Sequence, residues 1–452
     1  MFPATRQFEA ALQVVKDLRS AGHEAYLAGG CVRDLLLRRE PKDYDVATSA
    51  TPDAVLTLFQ RTFAVGAHFG VVLVAESDEE GYITTEVATF RSDGAYSDGR
   101  HPDAVRYTQS AEEDVRRRDF TINGLLLDPL QSANNLRALV IDYVGGVADL
   151  DAGVLRAIGR PEARFEEDRL RMLRGVRFAA RFGFELEAGT AAAMRQLAAR
   201  IHAVSRERVR DELTKMLTEG VARRAFELLD ETGLLSEVLP EVAKMKGVEQ
   251  PPQFHPEGDV WTHTLMLLGQ LEAGCPATLA WGALLHDVGK PPTFRRAPDR
   301  IRFDGHVDVG VAMGAEICRR FRFSNDETAQ ILALIENHMR FMDAQRMKTS
   351  TLKRFFRLTD FEQHLALHRM DCLAGSGNLD HWEFVRERYL EMPEETVRPR
   401  PLITGRELIA VGYAPGASFK EMLHAVEDAQ LEGTIGTADE ALRLVSERFP
   451  KK

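Results

Sequence analysis

The chain has 452 residues, too many for one hydrophobic core, so about three domains are expected. Hydrophobic residues make up 44% and charged residues 28%, an ordinary water-compatible balance, and no apolar run approaches the roughly 20 residues that cross a bilayer. A net charge of −11 excludes a uniformly basic nucleic-acid coat but leaves local cationic patches open.

The N-terminus shows no signal peptide; Phe8, Leu12, Val15 and Leu18 instead mark an amphipathic helix. The segments EAYLA, DYDVA, VVLVA, ITTEVATF and VRYT read as short strands. QFEAALQVVKDLRSAG and CVRDLLLR read as helices, as does PDAVLTLFQ, capped by Thr51 and opened by Pro52. From about residue 160 strand signals nearly vanish. The stretch RLRMLRGVRFAARFG reads as a helix closed by Gly183, and more helix is expected at 188–201, 205–219 and 221–232. KGVEQPPQFHPEGD (246–259) and EMPEETVRPRP (391–401) look like linkers around a histidine-rich helical block. The expected plan is an α/β head with a mixed sheet over 1–148, then all-α domains over 149–250, 251–392 and a tail over 393–452. Cys31, Cys275, Cys318 and Cys372 are scattered without metal-type spacing, which fits a reducing, cytoplasmic setting.

Asp43 and Asp45, in PKDYDVAT, lie shortly after the glycine turn LAGGCVRD. Gly29 and Gly30 would let backbone N–H groups approach a phosphate at the start of a helix. In an extended segment Asp43 and Asp45 point to one side and can hold Mg²⁺ ions against a nucleotide α-phosphate. Glu86, in the alternating strand TTEVATFR, is the candidate third acid if that strand pairs beside DYDVA. RRRDFTINGLLLD is expected to bring Arg117, Arg118, Asp119 and Asn123 to the start of a helix, where arginines suit a triphosphate. In EEDRLRMLRGVRF, Asp168 and Arg171 are three apart and share a helix face, with Arg174 one turn on. Such an Asp and Arg can read the Watson–Crick edge shared by cytosine and adenine; the competing reading is a solvated i,i+3 ion pair. Between Arg156 and Arg181 lie eight arginines, a candidate basic patch.

In order, LAGGCVRD, KDYDVAT, EVATFR, YSDGRHPD, RRRDFTING, DYVGGVADL and EEDRLRMLR resemble the motifs of the bacterial-type class II tRNA nucleotidyltransferase and poly(A) polymerase family, over roughly residues 20–240. The resemblance implies a nucleotidyltransferase head followed by helical neck, body and tail. It implies that Asp43 and Asp45 bind catalytic Mg²⁺, with Glu86 the matching acid. It implies that Asp168 and Arg171 select CTP or ATP, and that Gly29, Gly30, Arg33, Arg117, Arg118, Asp119, Asn123 and Arg174 belong to the nucleotide site. YSDGRHPD matches the loop the family uses in switching from C to A addition, and FAVGAHFGVVLV departs from the Gly-Arg-Arg-Phe signature of its poly(A) polymerases. Both favour a CCA-adding enzyme, or an A-adding partner of a split system, over a poly(A) polymerase; A addition alone, to tRNA-CC or as a poly(A) polymerase, stays open as the alternative.

His263, His286, Asp287, His306, His338 and Asp371 form a second constellation of the mixed His and carboxylate type that suits a transition metal or Mg²⁺. A histidine on an apolar helix is commonly a satisfied core residue, but an apolar helix ending in His286–Asp287 needs partners for two polar groups. The ordered set resembles the HD-domain metal-dependent phosphohydrolases over roughly 255–385. That implies one metal at His263, His286, Asp287 and Asp371, with His306 and His338 completing a second position in binuclear members. Phosphoester hydrolysis and a structural role remain alternatives for this domain, as does a scheme in which it alone is active and the head is an RNA-binding scaffold. The expected partners are tRNA, CTP and ATP, and no membrane.

Overall fold

The computed structural model describes residues 2–63, 70–78, 81–93, 105–253 and 255–451. The chain divides into two compact units, Met1–Pro240 and Glu241–Lys452.

The first unit opens with α1 (Arg6–Ser20), whose N-cap Thr5 accepts from the Phe8 N–H and whose buried face carries Phe8, Val14, Val15 and Leu18. Then follow β1 (Ala25–Ala28), α2 (Gly30–Leu36), β2 (Asp45–Thr48), α3 (Pro52–Leu58), β3 (Thr62–Phe63), β4 (Val71–Asp78) and β5 (Gly81–Thr89). Next come β6 (Arg91–Asp93), β7 (Val105–Tyr107), α4 (Ala111–Arg116), β8 (Leu125–Leu127) and β9 (Val140–Asp142). Seven strands form one sheet in the order β3-β4-β5-β2-β1-β8-β9. Its pairs are antiparallel except β2 with β5, which run parallel. One face packs Leu27, Val46, Val72, Val87, Leu125 and Leu127 with Val14, Val15 and Leu18 of α1. The other packs Ala28, Ala47, Phe90, Val115 and Leu126.

The segment RRRDFTINGLLLD does not begin a helix. Ser110 caps α4 by accepting from the Glu113 N–H, and α4 ends at Arg117; Thr121–Asn123 is a single 3₁₀ turn, and Leu125–Leu127 is a strand paired with β1. Three consecutive fully buried leucines suit a strand covered on both faces better than a one-sided helix.

After α5 (Gly146–Ala152) and β10 (Val154–Leu155), the helix expected across EEDRLRMLRGVRF is two: α6 (Pro161–Glu167) and α7 (Leu170–Phe182). Asp168 between them is extended (φ −139°, ψ 106°), and its carboxylate accepts from the Leu170 N–H as a cap does. Asp168 and Arg171 therefore do not share a helix face. Gly183 closes α7 in the left-handed region (φ 68°). Short strand pairs persist beyond residue 150: β10 runs parallel to β11 (Glu185–Leu186), and Arg295–Arg296 pairs with Ile301–Arg302. The unit continues through α8 (Ala188–Leu197), α9 (Arg206–Thr218) and α10 (Ala222–Glu231). A buried Arg177–Glu212 pair (2.8 Å) joins α7 to α9.

The second unit is helical, with helices at Val260–Leu268, Ala277–Leu285, His306–Phe321, Asn325–Asn337 and Phe361–Ala374. The stretch 246–259 is no free linker. Val260 N–H donates to the Val248 carbonyl, Asp259 accepts from Gly247 N–H, and Glu257 reaches His263. At the C-terminal end, Ile403, Leu408, Met422, Val426, Ala441 and Val445 make a small core. Arg354 of the helix Thr349–Phe356 and its C-cap Arg357 pair with Glu427, and Lys353 Nζ donates to the Leu431 carbonyl.

At Gly146, the first residue of α5, a Cβ would sit 2.2 Å from the Thr121 carbonyl oxygen. Gly146→Ala is expected to destabilise the first unit by about 1–3 kcal/mol through backbone displacement. Thermal melting checks this; an unchanged melting temperature would show that the contact relaxes freely.

Candidate active sites

The parallel register of β2 and β5 sets Asp45 directly opposite Glu86. Asp43, two residues before Asp45, lines the same cleft of about 960 Å³. Burial, then the Glu86 and Asp43 carboxylates, push the Asp45 carboxyl up to about 6 against the opposing pull of Arg118. Burial and Asp43 likewise raise Glu86. Repelling oxygen donors of this kind fit a hard divalent cation. The cleft is also lined by Gly29, Gly30, Arg33, Arg117 and Arg118. Asp119, Asn123, Asp168, Arg171 and Arg174 line it too, so the candidate acids and nucleotide-site residues of the head and neck meet there.

Gly29 adopts φ +70°, and a Cβ on it would lie 2.9 Å from Arg118 Nη1. Its N–H is committed to the Leu125 carbonyl (2.9 Å), so the phosphate cradle expected from both glycines lacks that donor. Asp114, which the sequence reading missed, fans out two arginines. Its Oδ1 accepts from Arg117 (2.9 and 2.7 Å) and its Oδ2 from Arg118 (3.1 Å). Asp119 Oδ1 accepts from Phe120 N–H and Asn123 Nδ2, and Oδ2 from Arg174 Nε and Nη2 (3.0 and 2.8 Å). Burial alone would raise this carboxyl; Arg174 and Asn123 hold it down at about 2. Arg33 donates to Asn123 Oδ1 (2.6 Å) and stacks on Phe182, so a continuous polar chain runs Arg33–Asn123–Asp119–Arg174.

Asp168 and Arg171 are braced separately. Arg171 donates to Glu167 (2.6 Å) and to the carbonyls of Arg164 and Arg117 (both 3.1 Å). Asp168 is held by Arg208 of α9 (3.0 Å). The i,i+3 ion pair weighed from the sequence is not the contact that either residue makes. Arg208 lies 40 residues downstream, and no spacing signals it. The arginine-rich stretch is not an open basic patch. Arg156, Arg164, Arg174, Arg177 and Arg181 face Asp149, Glu167, Asp119, Glu212 and Glu219. YSDGRHPD lies outside the described residues, as does much of FAVGAHFG.

In the second unit three of the histidines are held by the backbone. Nδ1 of His286, His306 and His338 bonds the carbonyls of Ala283, Phe303 and Ile335 (2.9, 3.0 and 2.7 Å). That leaves each Nε2 pointing away from its own helix turn. These three Nε2 atoms and Asp287 Oδ1 are buried and find no hydrogen-bond partner among the described residues. Donor atoms of His263, His286 and Asp287 lie within 4.8 Å of one another, and so do those of Asp287, His306 and His338. Two donor sets sharing one carboxylate, with orphaned nitrogens aimed between them, fit a metal centre. The three acids of the cleft do not form so tight a set.

His263 Nε2 meets Asp371 (2.9 Å) and its Nδ1 meets Glu257 (2.7 Å). Burial opposes the imidazolium, but the two carboxylates raise His263 to about 9. Burial would raise Asp287 and Asp371 also. His286 and Lys290 hold Asp287 well below the carboxylate range, and His263 and His286 do the same for Asp371. Burial pushes His338 down to about 4, leaving it neutral and ready to ligate. A pocket of about 420 Å³ opens onto Asp287, His306, His338 and Asp371. Glu257 and Lys290 were missed in the sequence, the first because it sits in what looks like a linker.

Known families match the chain in three stretches. The poly(A) polymerase head domain matches residues 25–156, the probable RNA- and SrmB-binding site of polymerase A residues 183–246, and the HD domain residues 260–363. The CCA-adding enzyme of Lactobacillus helveticus is 32% identical over 441 residues, 96% of each chain. That of Lactobacillus johnsonii is 40% identical over 265 residues, 58% of this chain and 64% of the relative, so this alignment spans just under two thirds of it. Among solved structures, the Bacillus stearothermophilus CCA-adding enzyme in complex with CTP superposes with a TM-score of 0.72 at 26% identity, covering 98% of both chains. The Thermotoga maritima CCA-adding enzyme complexed with tRNA shares the fold (TM-score 0.59, 19% identity, 97% of this chain and 95% of that one). The chain belongs to the CCA-adding enzyme family of tRNA nucleotidyltransferases.

Proposed function

We propose that this chain completes tRNA 3′ ends by transferring CMP and AMP from CTP and ATP at the head cleft. The observation that carries the reading is the parallel β2–β5 register, which sets Asp45 against Glu86 beside Asp43 at the mouth of an arginine-lined cleft. Asp43 and Asp45, with Glu86, would hold Mg²⁺, and the metal-dependent second unit would hold a transition ion or Mg²⁺ at His263, His286, Asp287 and Asp371, with His306 and His338 for a second ion. Divalent ions supply, in the first case, activation of a 3′ hydroxyl and charge neutralisation on departing pyrophosphate and, in the second, an activated water for phosphoester cleavage.

The protein groups do the rest. Arg117 and Arg118, fanned by Asp114 and lining the cleft, would donate to triphosphate oxygens. Asp168 accepts from the exocyclic amino group of C or A, while Arg171 donates to the neighbouring ring acceptor. Uracil and guanine would set a carbonyl oxygen against that carboxylate, so they are refused. The tRNA is held through its phosphates and shape rather than its sequence, in the cytoplasm. No helix among the described residues is long and apolar enough to cross a membrane. The orphaned histidine nitrogens favour a working hydrolase in the second unit over a purely structural one.

A tRNA transcript ending at the discriminator base, incubated with CTP and ATP together, should gain C, C and A in a product ladder; no C incorporation would leave only A addition. Asp45→Asn should cut incorporation roughly 10³-fold or more, since metal coordination supplies several kcal/mol of transition-state stabilisation.

Asp45 binds its proton more tightly folded (about 6) than unfolded, so the metal-free protein loses this contribution as pH rises from about 4 through 6. Mg²⁺ should therefore raise the melting temperature more at pH 7.5 than at pH 5, and the difference should shrink in Asp45→Asn, with Glu86 supplying what remains. Metal uptake by the second unit at pH 7 must displace the His263 proton. Calorimetry in buffers of differing ionisation enthalpy should show proton release, and His263→Ala should abolish it.

A further inference from the structure

Asp168 can read a base only if its carboxylate is fixed in the cleft, yet it stands at a break between two helices, in extended backbone. Its main-chain neighbours supply one hydrogen bond, from Leu170 N–H to Oδ1 (3.1 Å). What fixes the plane of the carboxylate is Arg208, whose Nη2 meets Oδ2 at 3.0 Å and whose Nη1 meets Oδ1 at 3.4 Å. Both side chains are mostly buried, at 25% and 17% exposure, and both line the cleft. A two-point guanidinium clamp sets rotation as well as position, which a lysine cannot do. Arg208 comes from α9, packed against α7, so the orientation of the base-reading carboxylate is imposed by the helical part of the unit and not by its own turn.

We propose that Arg208 is a positioning residue for nucleotide selection: by clamping the Asp168 carboxylate it sharpens acceptance of CTP and refusal of UTP. The proposal rests on the reading of Asp168 as the base-reading group. With the clamp gone, Asp168 can swing from the exocyclic amino group, weakening C. It can also retreat from a uracil carbonyl, relieving the acceptor–acceptor clash that excludes U. Discrimination therefore collapses from both directions. Asp43 and Asp45 are untouched, so turnover of bound CTP changes little.

The test uses the full chain with tRNA lacking CCA, and measures kcat and KM for CTP and for UTP in Arg208→Met, Arg208→Lys, Asp168→Ala and the Asp168→Ala/Arg208→Met double variant. Arg208→Met should raise the KM for CTP roughly 10- to 100-fold, the worth of a hydrogen bond to a charged group, with kcat within a few-fold. It should narrow the CTP/UTP ratio of kcat/KM, with Arg208→Lys intermediate. The double variant should be no worse than Asp168→Ala, because Arg208 acts through Asp168. An unchanged CTP/UTP ratio in Arg208→Met, or effects of the two single variants that multiply, would overturn the clamp. If Arg208→Met does not fold, the Arg208→Lys ratio decides, since it keeps the charge but not the fork. If Asp168→Ala itself keeps full discrimination, the base-reading role of Asp168 fails, a result distinct from failure of the clamp alone.

Discussion

The structure of the first unit turns on one parallel strand pair in a sheet whose other pairs are antiparallel. Pairing β2 with β5 in parallel, with Asp45 opposite Glu86, brings to one cleft carboxylates from segments about 40 residues apart in the chain. A slip of one residue would turn Glu86 to the other face and bury it among the apolar packing of Val46 and Val87. The register is held by those same valines, buried on the face that packs α1. The core that stabilises the sheet therefore also fixes the acid cluster.

Much of this was legible in the sequence because it follows period-2 and period-3.6 patterns. The strands EAYLA, VVLVA and ITTEVATF, the first helix and the Gly183 stop all come from side-chain alternation and capping chemistry. What escaped was set by long-range polar contacts. The break at Asp168 is invisible to periodicity, because it is stabilised by Arg208 from a later helix. Glu257 looked like loop because proline and glycine surround it, yet its carboxylate bridges His255 and His263. The start of a helix expected at RRRDFTING was an error of competing pattern: α4 ends there, and the three leucines that follow answer to the sheet.

The two units handle buried charge in different ways. In the cleft, burial first and neighbouring carboxylates second push Asp45 and Glu86 toward protonation. In the second unit, Asp287 and Asp371 are pulled the opposite way by surrounding histidines and Lys290. An all-carboxylate set waits for a cation to neutralise it, and so suits an ion that arrives with a nucleotide's phosphates. A mixed imidazole–carboxylate set is already near electrical balance and, with its Nδ1 atoms locked onto carbonyls, is preorganised to keep an ion in residence.

The acidic net charge of the chain then stops being a puzzle for a protein that handles RNA. An arginine-rich neck left bare would bind any polyanion tightly and release it slowly. Here most of those arginines are matched to an acid on an adjoining turn or helix, as in Arg177 with Glu212 and Arg174 with Asp119. Their pairing orders the helices, and it also limits how much cationic surface is on offer to phosphate. Inside the cleft, by contrast, eight arginines and one lysine face five carboxylates, so positive charge exceeds negative where a triphosphate would lie. Net charge describes the whole surface; the local ratio of guanidinium to carboxylate decides where an anion settles.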